Sequence, residues 1–466
     1  MRIDKLWIKH FKNLKNFEIN FDEEQLTTVL IGHNGTGKSN LIEAIVIIFR
    51  NLDLGKPPEF SYDLTYYCRN NRIQIKAEAD KKLNHTEVTV NGKNISFSKF
   101  VKFSDRRYLP NYVFAYYSGH SNRLESHFDV HQKNFYKDLL QNKEKPLRPL
   151  FYTRLIHSQF VLLSYFSFSD EKSREFLKKY LDIAGLESVL FILKKPPWKS
   201  KDGDKRFWNA RGVVQGFLSI LYDQALAPLY KTERISTEYN KKRYQDHLYL
   251  FIPNEESLKN IAQIYGNNRE FFKVLESTYI SDLIYEVRIK VKKINSNDTI
   301  TFKELSEGEQ QLLTVLGLLK FTKDEESLFL LDEPDTHLNP AWKLGYLNLL
   351  EEVVGKQETS HILICTHDPL LIGGLLRNQV QIFKKSGSTG QIIATPPEYD
   401  PRGMGVAALL TSELFGLSTT LDIETQKKLD RKRELYLKSL ESELIHEETL
   451  MTHGDTHEHE NVARMP

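Results

Sequence analysis

"IGHNGTGKSN", residues 31–40, places Gly32, Gly37, Lys38 and Ser39 at the G-x-x-x-x-G-K-[ST] spacing that cradles phosphates. The short β-branched run "LTTVLI" precedes it, and "SNLIEAIVIIF" (39–49) follows with helical apolar spacing. Strand, loop and helix are the context a phosphate loop needs. Backbone N–H groups from Gly32 through His33, Asn34, Gly35, Thr36 and Gly37 to Lys38 would point at the α- and β-phosphates, at the positive end of the following helix. Lys38 is expected to reach the β- and γ-phosphates of ATP, and the Ser39 hydroxyl to ligate Mg²⁺.

A second stretch completes such a site. "LFLLDE" (328–333) is a buried-type strand ending in two carboxylates, so Asp332 is expected on the Mg²⁺ and Glu333 beside the attacking water as general base. Alone, an apolar run ending in Asp-Glu is an ordinary strand end. Its pairing with residues 32–39 gives it meaning.

"LSEGEQQ" (305–311) sets Ser306 and Gly308 at a helix start, where a hydroxyl and backbone N–H groups can meet an anion. Ser306 with Glu309 three residues on also reads as a capping box. Here the chain resembles the ABC-type ATPases of the SMC, Rad50, RecF and OLD group, whose LSGGQ-like signature closes on the γ-phosphate held by the opposite protomer. "GHNGTGKSN", with Asn34 and Asn40, is similar to that group's phosphate loop, "DEPDTHLNP" (332–340) to its carboxylates and dimer-contacting D-loop, and "ICTHDP" (364–369) to its switch segment. The resemblance implies a nucleotide site of Gly32–Asn40 with Ser306, Gly308 and Glu309, catalysis by Lys38, Glu333 and His367, and Mg²⁺ on Ser39 and Asp332. Asn339 departs from the Asp that many transporter-like relatives carry. The glutamine loop has no clear counterpart; Gln74 lies in a strand pattern, and Arg123 is a polar group following the strand at 112–117.

The fold class expected is α/β, a P-loop ABC-type ATPase head with a mostly helical insertion and a helical C-terminal region. The boundaries read as 1–135 and 281–405 for the head, 136–280 for the insertion and 406–466 for the C-terminal region and polar tail. Ser39 and Ser306 lie 267 positions apart, the room for the insertion. Sustained heptads are missing, and Pro196, Pro197 and Pro228 would break a long coiled-coil arm. After His367 there is no Glu plus Asp-x-Asp set of the Toprim kind, so any nuclease is expected from a partner.

"YYSGHSNRLESHF" and "LLTSELFGLSTTLDIET" (409–425) look like the ATPase subunits of Septu-type antiphage systems, which also occur with some retrons. That resemblance implies a chain that pairs head to tail with itself and regulates an HNH nuclease subunit. A RecF-like repair ATPase and a nucleotide-binding scaffold with negligible turnover are the competing readings.

Lys plus Arg (64) nearly balance Asp plus Glu (62), so any nucleic-acid surface must be a local patch. The candidate is 194–212, "KKPPWKSKDGDKRFWNARG", with seven basic residues against two Asp and three large aromatics between them. A solvated loop edge explains it as well. "KKRYQDH" (241–247) reads more readily as an ordinary charged stretch. Leu437, Leu440 and Leu444 form one helical face fit for a partner or for the head itself. His453, Asp455, His457 and His459 are possible metal ligands in a tail with too few apolar residues to hold them. Cys68 and Cys365 lie far apart, and no run is long enough for a membrane span, so no membrane partner is expected and a cytoplasmic location is.

Overall fold

A computed structural model describes residues 1–22, 24–81, 83–102, 107–141, 143, 148–168, 171–238, 241–294, 299–322, 325–354, 359–387 and 389–454. The described residues up to 404 form one compact unit and those from 405 on another.

The larger unit is built on a seven-stranded sheet. In spatial order its strands are Ile392–Thr395, Val380–Lys385, Thr27–Gly32, Ser360–Cys365, Ser327–Asp332, Tyr112–Tyr117 and Leu150–Tyr152. All neighbours run parallel except the first pair. Strands of such a sheet are covered on both faces. The continuous burial of Ser327–Asp332 and Ser360–Cys365 follows from that.

A six-stranded antiparallel sheet, beginning with Arg2–Phe11 and Leu14–Asn20 and continuing through Tyr62–Cys68 to Lys93–Ile95, lies over the helix Lys38–Leu54. That helix is sandwiched between two sheets, so its apolar residues surround the axis rather than forming one stripe. Ile42, Ile45 and Phe49 join a single core with Ile8 and Phe17 on one side and Leu330 and Leu363 on the other. Each such side chain contributes roughly 1.5–3 kcal/mol by leaving water. A hairpin with Asn91-Gly92 at its turn joins Thr86–Val90 to Lys93–Ile95.

Between 136 and 280 helices make up most of the regular structure, including Ile156–Ser167, Glu171–Leu181, Gly212–Gln224, Glu255–Gln263 and Asn268–Ile280. The stretch also supplies three long strands that the sequence reading passed over: Ile183–Lys194, Leu226–Glu238 and Lys241–Ile252. With Ile284–Lys293 and Thr299–Thr301 they form a five-stranded antiparallel sheet. The helix Glu171–Leu181 gives way at once to the strand that starts at Ile183, and "KKRYQDH" is the first half of another strand. Antiparallel pairing satisfies the backbone of these segments at long range, which local helical periodicity does not report.

In the C-terminal unit Val406–Thr411 and the 32-residue Ile423–Gly454 are helical. Leu437 and Leu440 are solvent-exposed on the long helix. Asp455, His457 and His459 of the proposed metal cluster lie outside the described residues, and so does the His453 side chain. Among described residues no group of three metal-ligating side chains stands together, and no helix is long and apolar enough to cross a membrane.

Candidate nucleotide site at the carboxyl ends of the central strands

Strand register assembles the site. Asp332 pairs with Cys365 on one side and Tyr117 on the other, Cys365 with Leu30, and Gly32 with Phe383. The carboxyl ends of three strands, at Tyr117, Asp332 and Cys365, are therefore level, Gly32 ends its strand two residues further, and the residues just past them share one edge. Ligands bind at that edge of parallel sheets because loops and helix N-termini converge there.

Gly37 caps the helix Lys38–Leu54 in the left-handed region, φ 96°. A Cβ there would lie 2.8 Å from Leu14 Cδ2 and 2.9 Å from Asn13 Oδ1, so only glycine lets the loop close against the first hairpin. His33, Asn34 and Gly35 are exposed at the loop tip, whereas Lys38 is only 5% exposed. The Lys38 ammonium donates to the carbonyls of Gly32 (2.7 Å) and His33 (3.3 Å), inside the curl of its own loop. Burial lowers its pKa, while Asp332 and Glu333 pull the other way. The Thr36 hydroxyl donates to the His33 carbonyl at 2.8 Å and braces the turn.

Asp332 is 3% exposed, and burial raises its carboxyl to about 6 against a hydrogen bond from the Ser39 hydroxyl. A hydroxyl and a carboxylate side by side are hard oxygen donors of the kind Mg²⁺ takes, and a cation would relieve the desolvated charge. Glu333, one residue on, adopts φ 55°. Left-handed backbone at a non-glycine residue costs about 1–3 kcal/mol and is characteristic of functional turns. Its amide donates to the Cys365 carbonyl at 2.9 Å, which fixes the bend. His367 Nε2 lies 3.5 Å from Glu333 Oε1. Burial, then Lys38, lowers the imidazole pKa, so His367 is held toward its neutral form.

One open cavity of about 310 Å³ has Asn34, Gly35, Gly37, Lys38, Ser39, Asn40, Glu333 and His367 in its wall; Gly32, His33, Thr36 and Asp332 do not line it. Two further residues line it. Asn13, from the turn of the first hairpin, donates to the Gly35 carbonyl (2.9 Å) and accepts from Asn40 (2.7 Å). The Lys-Asn turn in "FKNL" was the available signal for it. Arg123, left open by the sequence, projects into the cavity with Nη2 3.5 Å from Asn40 Oδ1 and Nε 3.7 Å from Glu43 Oε2. Glu43 is itself 4% exposed and also holds Lys12 (2.5 Å) and His127 (3.1 Å). The hydrogen bonds from His127 and Lys12 outweigh burial and lower its pKa.

The cavity wall does not include Ser306, Gly308 or Glu309. Ser306 is exposed immediately before the helix Glu307–Thr322. The capping box is real: Glu309 accepts from the Ser306 amide (2.7 Å) and hydroxyl (2.8 Å), and its own amide donates back to Ser306 Oγ at 3.2 Å. The Glu309 carboxylate is thus turned onto its own helix start. A Cβ on Gly308 would fall 2.5 Å from the His337 carbonyl, so this glycine lets the helix start touch the loop after Glu333. Buried Gln311 ties the same two elements, donating to the Glu333 carbonyl (3.5 Å) and accepting from the His337 amide (3.3 Å). Asn339 caps the next helix, accepting from the Trp342 amide at 2.9 Å.

The basic stretch 194–212 is folded more tightly than a solvated edge. Phe207 is fully buried, and Lys194, Lys195, Arg206 and Arg211 pair with Asp282, Asp246, Asp204 and Asp202. Phe207 cannot stack on a base, and the free charge is smaller than the composition suggests.

With this geometry in place, similarity to known proteins is informative. Residues 27–373 match the family model described as "AAA domain, putative AbiEii toxin, Type IV TA system". The chain is 25% identical over 183 residues to the Septu protein PtuA of Bacillus mycoides (strain KBAB4), covering 37% of this chain and 24% of that one. It is 24% identical over 229 residues to the Septu protein PtuA of Bacillus thuringiensis, covering 42% and 54%. It is 28% identical over 111 residues to the DNA replication and repair protein RecF of Rickettsia felis, covering 23% and 29%. The chain thus matches between a quarter and about half of the length of these relatives. It is an ABC-type ATPase by fold and resembles PtuA. The family match takes in the phosphate loop, the paired carboxylates and His367 together, and the chain belongs to the family of AAA domains that carries this description.

Proposed function

We propose that the chain binds and hydrolyses Mg-ATP between two copies of itself, paired head to tail, and that this pairing governs an HNH nuclease partner in antiphage defence. The observation that carries the reading is a split. One chain gathers Lys38, Ser39, Glu333 and His367 around one open cavity, with Asp332 hydrogen-bonded to Ser39, while exposed Ser306 and buried Gly308 both lie outside its wall. A cavity wall that lacks the signature residues of its own chain supports completion of the site by a second copy.

In the proposed mechanism the loop amides and Lys38 grip the triphosphate, and Lys38 leaves the carbonyls of Gly32 and His33 to do so. Ser39 and Asp332 would hold Mg²⁺, which supplies positive charge to the β- and γ-phosphate oxygens. Glu333 takes the proton of the attacking water. Neutral His367 donates a hydrogen bond to the γ-phosphate and senses its departure. The head boundaries 1–135 and 281–405, with an insertion at 136–280, belong to the same proposal. So do cytoplasmic placement and a nuclease supplied by a partner, supported by the PtuA likeness.

The test uses the full chain. With Glu333→Gln and Mg-ATP, light scattering should show a larger assembly that persists, and Ser306→Arg should abolish it without loss of nucleotide binding. Coexpression with an adjacently encoded HNH nuclease should yield a complex whose cutting depends on nucleotide state. A nonhydrolysable analogue fully enclosed by one copy, with residues 305–311 distant from every γ-phosphate, would sink the reading.

A further inference from the structure

A second cavity, of about 350 Å³, shares no lining residue with the nucleotide site. It is walled by the loop from Trp198 to Arg211, by Leu139 and Leu140 at the end of one helix, by Val214, and by Ser281 and Leu283. Its volume falls within the range of small-ligand pockets.

The loop is built rather than slack. Asp204 and Ala210 form a β-bridge, with the Asp204 amide donating to the Ala210 carbonyl at 3.1 Å. Asn209 Nδ2 donates to the Ser200 carbonyl at 2.8 Å, and the Arg211 side chain holds both the carbonyl and the carboxylate of Asp202. Trp208 and Asn209 are consecutive left-handed residues, φ 53° and 65°, and such strain persists only where the surroundings hold it. The Trp198 indole N–H donates to the Ser281 carbonyl at 2.7 Å, so the ring is fixed with part of its surface in the cavity.

The lining is chemically two-sided. Leu139, Leu140, Val214, Leu283 and the indole are apolar. Lys199, Lys201 and Arg211 face a single carboxylate, Asp202, which Arg211 already holds. Among the described residues neither Lys199 nor Lys201 has a carboxylate partner. A ligand that satisfies both sides has a flat apolar body and a compact multiple anion, with stacking on the indole and phosphate on the lysines.

We propose that this cavity binds a nucleoside monophosphate unit, its base against Trp198 and its phosphate on Lys199 and Lys201. The unit can come from a free mononucleotide or from the 5′-phosphorylated end of a single strand. The proposal goes beyond the ATPase reading and stands without it.

The experiment titrates the full chain carrying Lys38→Ala, which removes phosphate-loop binding, with dAMP and with a short oligo(dA) bearing or lacking a 5′-phosphate, following tryptophan fluorescence. Saturable quenching by dAMP or by the 5′-phosphorylated strand is expected, absent in Trp198→Phe, and the tighter of the two identifies the source. Lys199→Ala with Lys201→Ala should weaken it by about tenfold or more, while the melting temperature stays at that of the parent. No saturable change with either probe would overturn the proposal. So would quenching indifferent to the lysine pair, or competition by inorganic phosphate as effective as by dAMP.

Discussion

Two buried carboxylates in this molecule are held in opposite ways. Glu276 is fully buried between Arg148 (2.6 Å) and His157 (2.9 Å), and although burial favours its neutral form, the two partners carry its pKa down to about 2. His157 Nδ1 accepts the Arg154 amide at 2.7 Å, so its Nε2 carries the hydrogen given to Glu276. The Arg148 guanidinium in turn lies 4.4 Å from the Phe151 ring centre. This cluster fastens the edge strand of the central sheet to the helices Ile156–Ser167 and Asn268–Ile280. Asp332 is almost as buried, yet its carboxyl is pushed up to about 6. One charge is fully compensated within the chain, and the other is left short of positive charge. Locks are compensated; sites await what they bind.

The sharpest way to break the comparison is at the site. Glu333→Gln should lower ATP turnover by about 10²–10⁴-fold with ATP affinity retained, measured as phosphate release against equilibrium binding. At the lock, Glu276→Ala strands a buried guanidinium and should cost about 3–5 kcal/mol in urea unfolding. Asp332→Asn should do the reverse, abolishing Mg²⁺-dependent turnover while leaving unfolding stability unchanged or higher; a large loss of stability there would erase the contrast. Between the two stands Glu43, which holds Arg123 at the cavity. Glu43→Gln should weaken ATP binding by about three- to tenfold with little change in melting temperature, and an unchanged affinity would make Arg123 a bystander. The smallest effect is on pH. Because the Glu276 pKa is depressed in the folded chain from 4.5 to about 2, its stabilisation is complete above pH 4.5 and is lost as pH falls toward 2. Glu276→Gln should flatten that part of the acid-unfolding profile.

Much of the nucleotide edge was legible because its residues sit at fixed short spacings beside strand ends: the loop before Lys38, the Asp332–Glu333 pair, and His367 after a buried run. Each needs only local chain geometry to be recognised. Arg123 was legible only as a polar group after the strand at 112–117, and Asn13 and Glu43 escaped because they act through packing between a hairpin, a helix and a distant loop, which no spacing encodes. The five-stranded sheet escaped for the same reason. Leu226–Glu238 pairs with Lys241–Ile252 nearby, but Ile183–Lys194 finds Lys241–Ile252 and Ile284–Lys293 only across long separations. The Arg148–Glu276–His157 cluster spans 128 residues and carries no motif. Aromatic and basic composition at 194–212 pointed to an exposed strip, whereas tertiary burial of Phe207 and four ion pairs turned it into the wall of a cavity.

The touch of Gly308 on the His337 carbonyl, doubled by Gln311, makes the start of one helix and the bend at Glu333 a single mechanical piece. In the proposed pair of copies, a push on Ser306 from the neighbour's nucleotide would arrive directly at Glu333, the carboxylate proposed to activate water. Two such pockets would then be unable to fire as independent clocks, and the rate of each would carry the occupancy of the other.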